Sequence, residues 1–217
     1  MTANLARFVF PRSSVRLCAV YTIGVMLAAV VAGCTAPKYP PAPRDAATAG
    51  YEYAIGPLDV VSIIVWRNPE LSMSVEVRPD GKITTPLVND LPATGKTPTA
   101  LAKDIEQSLG KYIRDPVVTV VVTRFAGPID AQIRVIGEAT KPQILSYRRD
   151  LTLLDVMIAV GGLTDFADGN RASIFRTDAG KGTSYSVRLR DLVKGGDITA
   201  NVDMRPGDIL IIPQSWF

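Results

Sequence analysis

The sequence predicts an α+β chain of two small modules, and three observations carry that expectation. Short β-branched runs, among them Val60–Trp66 and Val117–Thr123, are cut apart by Gly, Pro and Asp clusters, as strands are by tight turns. Apolar residues fall at helical spacing in two places, after Thr97 and after Thr152. Gly127-Pro128 separates the two regions, so each module holds one main helix and several short strands.

Residues 1–33 stand apart from this pattern. Arg7, Arg12 and Arg16 precede Leu17 to Ala32, which is apolar except for Tyr21, Thr22 and Gly24. That order is a secretory signal. Its ending, Val31-Ala32-Gly33-Cys34, resembles a bacterial lipobox, which implies a diacylglycerol on the Cys34 thiol, cleavage before Cys34 and acylation of the new N-terminus. The alternative is a plain transmembrane anchor, since the apolar run falls just short of the ~20 residues of a spanning helix. Small residues before Cys34 favour cleavage. Thr35, rather than aspartate, follows Cys34; by the same resemblance this points to the outer membrane.

Removing the leader changes the charge reading. The whole chain has 24 basic and 21 acidic residues, and the leader holds three of the basic ones and no acid. The mature chain is therefore neutral, without a Lys/Arg cluster, and no nucleic-acid partner is expected. Histidine is absent. Of the two cysteines, Cys18 leaves with the leader and Cys34 would be acylated. This leaves no disulfide and no His- or Cys-based nucleophile, and argues against a transition-metal site. No nucleotide-binding loop is present either. No cofactor, metal site or catalytic residue is expected.

Residues 34–50, with Pro37, Pro40, Pro41 and Pro43, read as a tether. Proline-rich chain extends by about 3.1 Å per residue, so it reaches ~40–50 Å from the lipid. Val60–Trp66 is a strand entered through the turn Gly56-Pro57-Leu58-Asp59. Ser74–Val77 and Ile83–Thr85 flank Asp80-Gly81, a hairpin signal. Thr97 caps a helix with Pro98 in its first turn, and Leu101, Ile105, Leu109 and Tyr112 form its buried stripe. Asp115-Pro116 stops it, and Val117–Thr123 reads as an interior strand.

In the second module, Ala131–Ile136 and Gln143–Tyr147 read as strands. Thr152 and Asp155 form a capping box for a helix whose apolar face is Leu154, Met157, Ile158 and Val160, ended by Gly161-Gly162. Ala172–Arg176 and Tyr185–Leu189 pair around Gly180-Lys181-Gly182, Asp191–Lys194 forms a helical turn, and Arg205-Pro206-Gly207-Asp208 leads into Ile209–Ile212. The turns before Asp59 and Asp208 echo each other, each carboxyl being placed to bond nearby backbone N–H groups.

Read in order, these segments carry a family resemblance. Tyr53-Ala-Ile-Gly56-Pro-Leu-Asp59-Val, Trp66, Pro69-Glu70-Leu71, Val77-Arg-Pro-Asp80-Gly81-Lys-Ile83, Pro86 and Asp115-Pro116-Val-Val-Thr-Val120 resemble a polysaccharide biosynthesis/export domain. Ile133-Arg-Val-Ile-Gly137-Glu138, Pro142, Leu151-Thr-Leu-Leu-Asp155 and Gly161-Gly-Leu-Thr164 are similar to a β-grasp-like SLBB (soluble-ligand-binding β-grasp) domain. The implied organisation is a signal peptide at 1–33, the tether at 34–50, the export domain at 51–126 and the SLBB domain at 127–217. The chain thus resembles the outer-membrane polysaccharide export (OPX) lipoproteins, in a short form without the C-terminal pore helix. The family often has glycine where this chain has Leu58, which implies a locally reshaped turn.

The resemblance implies a non-enzymatic export subunit anchored through Cys34 to the periplasmic face of the outer membrane. It would form a homo-oligomeric ring that passes exopolysaccharide or capsule, working with an inner-membrane polysaccharide co-polymerase and a separate outer-membrane β-barrel. The alternative is a periplasmic lipoprotein that binds a soluble ligand or envelope glycan through its SLBB domain. No ligand-binding residue is fixed by the sequence. Asp165, Asp168 and Asn170 lack calcium-loop spacing and read as a polar loop ended by Gly169. Trp66 is assigned to the core, and Trp216-Phe217 to a docking contact with a barrel or membrane.

Overall fold

A computed structural model of the chain describes residues 38–44, 50–178 and 180–216. The signal, Cys34 and Phe217 lie outside them. Residues from Lys38 onward form one compact unit, which is α+β and holds two hydrophobic cores. No helix among the described residues is long and apolar enough to cross a membrane.

The first core is built on β1 (Val60–Val65), flanked by β2 (Met73–Glu76) and β5 (Val118–Arg124) in the order β2-β1-β5, all antiparallel. A hairpin of β3 (Lys82–Thr85) and β4 (Val88–Pro92) and the helix α1 (Pro98–Leu109) complete it. Val61, Ile63 and Val65 point inward into the core that also holds Leu101, Ile105 and Leu109 of α1. Ile64 and Trp66, on the alternate positions, point outward, as the period of two along a strand requires. Trp66 is 66% exposed. Its assignment to the core is corrected: a largely apolar run concealed an alternation of faces. The strand after Pro116 is an edge strand within its sheet rather than an interior one, since β5 pairs only with β1 among the described residues.

Thr97 caps α1 as expected, its hydroxyl accepting the Ala100 N–H at 3.2 Å. The helix ends at Leu109, so Tyr112 leaves the buried stripe and is exposed. Asp80-Gly81 does form a tight turn, with Gly81 at φ 80° and its N–H donating to Arg78 O at 2.8 Å. The turn joins two sheets, however, because β2 pairs with β1 and β3 with β4.

The second core lies under a five-stranded sheet ordered β7-β6-β10-β8-β9. Its strands are β6 (Ile133–Gly137), β7 (Ile144–Leu145), β8 (Ser173–Asp178), β9 (Lys181–Ser186) and β10 (Ile209–Ile212). β10, last in sequence, sits at the centre, parallel to β6 and antiparallel to β8. A central parallel pair flanked by antiparallel strands is the β-grasp-like arrangement. Helices α2 (Leu153–Ala159) and α3 (Leu189–Val193) contribute Leu153, Val156, Met157, Leu189 and Leu192 to the core. Ile158 is 70% exposed and Leu154 only half-buried, so the buried face of α2 is rotated from the one expected. The strand expected over Tyr185–Leu189 ends at Ser186, and Leu189 opens α3.

Part of the proline-rich segment is docked rather than extended into solvent. Pro41 bridges Ser186 of β9 in parallel, and Ala42 packs against the second core.

The capping box of α2 is complete. The Thr152 hydroxyl and N–H both donate to Asp155 Oδ2, at 2.7 and 3.0 Å, and the Asp155 N–H donates to Thr152 Oγ1. The Thr152 side-chain and backbone hydrogen bonds hold the Asp155 carboxyl below its ordinary pKa range. A depressed folded pKa contributes stability above the unfolded value of about 4, and that contribution is lost as pH falls through the folded value. Thr152→Ala is expected to cost about 1 kcal/mol near neutral pH. The difference from the parent, read by urea unfolding, should shrink below pH ~4 as the parent loses the same interaction.

Candidate functional site

Residues 125–132 carry the chain from the first core to the second, and Asp59 organises this stretch. Asp59 precedes β1 and is fully buried. Its Oδ1 accepts the N–H groups of Ala126 at 2.6 Å and Gly127 at 2.8 Å. Its Oδ2 accepts the Gly56 N–H at 2.8 Å and the Tyr53 hydroxyl at 2.5 Å. One carboxyl thus ties the entry turn of the first sheet to the backbone leaving it. Burial, reinforced by the hydrogen bond to Asp59, pushes the Tyr53 phenol well above the ordinary tyrosine range, so it keeps its proton into alkaline solution. Gly56 lets the two backbones meet: a Cβ there would lie 2.1 Å from the Gly127 carbonyl carbon.

The second core grips the same stretch from its own side. Ser146 Oγ donates to Phe125 O at 2.8 Å, and Gln132 Nε2 donates to Ala126 O at 3.2 Å. Arg134 Nη2 donates to Ile129 O at 2.9 Å, and Arg149 Nη2 donates to Tyr51 O at 2.6 Å. Two edge-to-face ring pairs, Tyr51–Tyr147 with centroids 4.8 Å apart and Tyr53–Phe125 at 5.2 Å, flank it.

The turn before Asp208 repeats the geometry of the turn before Asp59. In each, proline is followed by a left-handed residue, Leu58 at φ 69° or Gly207 at φ 82°. In each, the aspartate accepts the N–H three residues back, from Gly56 at 2.8 Å or Arg205 at 2.7 Å. Leucine at 58 adopts the left-handed conformation that glycine takes at 207. Gly207 also abuts the joining stretch, since a Cβ there would lie 2.6 Å from Asp130 O. Asp208 has a different second partner. Arg176, buried with it, donates from Nε at 2.9 Å and Nη2 at 2.7 Å. Arg176 Nη1 is buried without a hydrogen-bond partner.

The sequence located both aspartates and their turns, but not Tyr53, Ser146, Gln132 or Arg176 as partners. Gly127 read as a boundary, and Gly56 facing it was the one available signal of close approach. Asp165, Asp168 and Asn170 turn to separate partners: Lys194 at 3.9 Å, Arg171 at 3.7 Å and Asp191 at 2.8 Å. Trp216 is 80% exposed, beside a backbone pairing in which the Ser215 N–H donates to Phe166 O at 2.7 Å. Buried and accepting four hydrogen bonds, Asp59 is a joint between the cores.

Comparison with known proteins agrees with this two-part construction. Residues 47–123 match the polysaccharide biosynthesis/export protein family, and residues 131–212 match the SLBB domain. The chain therefore carries an export domain followed by an SLBB domain. Similar proteins include the EPS I polysaccharide export outer membrane protein EpsA of Ralstonia nicotianae, 24% identical over 75% of this chain and 47% of its own length. The exopolysaccharide production protein ExoF of Rhizobium meliloti is 27% identical over 75% of this chain and 41% of its own. The capsule polysaccharide export protein BexD of Haemophilus influenzae is 23% identical over 74% and 43%. The chain thus spans somewhat less than half the length of these relatives.

Two substitutions test the joint. Asp59→Ala strands three backbone N–H groups and a phenol, at about 1–3 kcal/mol for each donor left buried. A loss of at least ~3 kcal/mol is expected in urea unfolding, with faster amide exchange at Ala126 and Gly127. Leu58→Gly relieves a left-handed leucine and is expected to stabilise the chain by about 1 kcal/mol; a destabilised variant would show that Leu58 makes a compensating contact.

Proposed function

We propose that this chain is a non-enzymatic subunit of an exopolysaccharide or capsule export conduit, lipid-anchored through Cys34 on the periplasmic face of the outer membrane. The observation that carries this reading is the tandem of export and SLBB domains, shared in part with relatives named for polysaccharide export. We assign the two cores to an export domain over 51–126 and an SLBB domain over 127–217. In the assembled conduit, copies form a ring that receives polymer from an inner-membrane co-polymerase and delivers it to a separate β-barrel.

Ring formation has a physical basis in the surface. Ile64, Trp66, Val117 and Val121 expose apolar area on and beside the outer face of the first sheet, next to the open edge of β5. Open strand edges and apolar patches are surfaces that neighbouring subunits bury. Trp216 offers a further contact for a barrel or a membrane surface.

The test is complementation of a deletion strain. The intact chain is expected to restore surface polysaccharide, and Cys34→Ser should lose the lipid by intact mass and impair export. Unchanged secretion in the deletion strain, with glycan binding by a purified lipidated monomer, would replace this reading with that of a ligand-binding lipoprotein.

A further inference from the structure

We infer that residues 40–44 form a strap that fixes where the membrane anchor holds the molecule. It holds the β9 edge of the SLBB domain, not the export domain that follows the segment in sequence. The inference rests on the Cys34 anchor proposed above and adds the site at which that anchor acts.

The strap is held by a single parallel bridge to β9 and by backbone hydrogen bonds. The Ser186 N–H donates to Pro40 O at 2.7 Å, the Ala42 N–H donates to Ser186 O at 3.2 Å, and the Asp203 N–H donates to Arg44 O at 3.3 Å. Pro41 stands opposite Ser186. In a parallel bridge the residue facing the partner makes no bond of its own; its predecessor accepts and its successor donates. Pro40-Pro41-Ala42-Pro43 fits that requirement closely. Proline can accept at position 40 and is harmless at 41, and the one residue of the four with an N–H stands at 42, where a donor is needed. Ala42 also packs against the second core. The strap covers part of the β9 edge, whose backbone groups would otherwise be open.

Docking shortens the reach of the anchor. Five residues separate Cys34 from Pro40, and fully extended chain spans at most about 3.6 Å per residue, so the lipid attachment lies within ~20 Å of the strap. A free tether running to Tyr51 would reach more than twice as far. Because the bridge is parallel, the strap runs in the same direction as β9, which starts at Lys181.

The experiment uses lipidated mature protein in phosphatidylethanolamine/phosphatidylglycerol vesicles carrying a headgroup-attached quencher. A fluorophore is placed at Lys181→Cys or, in the export core, at Thr119→Cys. At least twofold stronger quenching at 181 than at 119 is expected, together with slow amide exchange at Ala42. Ala42→Pro removes the strap's donor without entering either sheet and should bring the two probes toward equal quenching. Equal quenching in the unsubstituted strap, or stronger quenching at 119, overturns the inference. The mass of the Cys34 peptide separates the two readings. A lipidated chain with an unprotected Ala42 amide overturns the strap alone, whereas a chain without lipid at Cys34 overturns the anchor and the strap's membrane role together.

Discussion

The buried carboxyl of Asp59 is the constraint on which the rest of the structure depends. It satisfies four donors from three places: the entry turn of β1, Tyr53 in the chain before it, and the backbone leaving β5. A buried polar group is tolerated only when its partners are in place. Folding of the first core therefore positions Ala126 and Gly127, and with them the start of the second core. Glycine at 56 is the steric half of the same arrangement, since a Cβ there would collide with the Gly127 carbonyl, while Gly127 itself is held at φ 74°.

The duplicated turn extends this logic. One copy holds the joining stretch with its carboxyl, and the other backs onto it with Gly207 while directing Asp208 inward to Arg176. The same local chemistry thus serves two ends. Asp59 stitches backbone to backbone between elements, and Asp208 neutralises an arginine inside a core. Breaking either pair would strand buried polar groups, whose desolvation outweighs the modest net value of the bonds themselves.

Much of this was legible in the sequence because it is local. The α+β class, the Thr97 cap, the Thr152–Asp155 box and the carboxyl-to-backbone turns follow from residue type and spacing within a few positions. What was missed is set by tertiary pairing. The Val60–Trp66 run concealed which face is buried, because its apolar residues fall on both alternate sets of positions, and Trp66 fell on the solvent side. The edge position of β5 depends on which strands lie beside it. The docking of Pro40 to Arg44 depends on β9, some 140 residues later in the chain, and proline richness alone suggested a spacer. Leu58 adopts a backbone that residue preference would assign to glycine, because the surrounding hydrogen bonds over-determine the turn.

Differential scanning calorimetry of the mature chain tests most directly whether Asp59 makes the two cores one cooperative body. A single transition, with calorimetric and van't Hoff enthalpies in agreement, is the result a shared joint predicts. Two resolved transitions in the unsubstituted chain, each with the heat of one core, would contradict it.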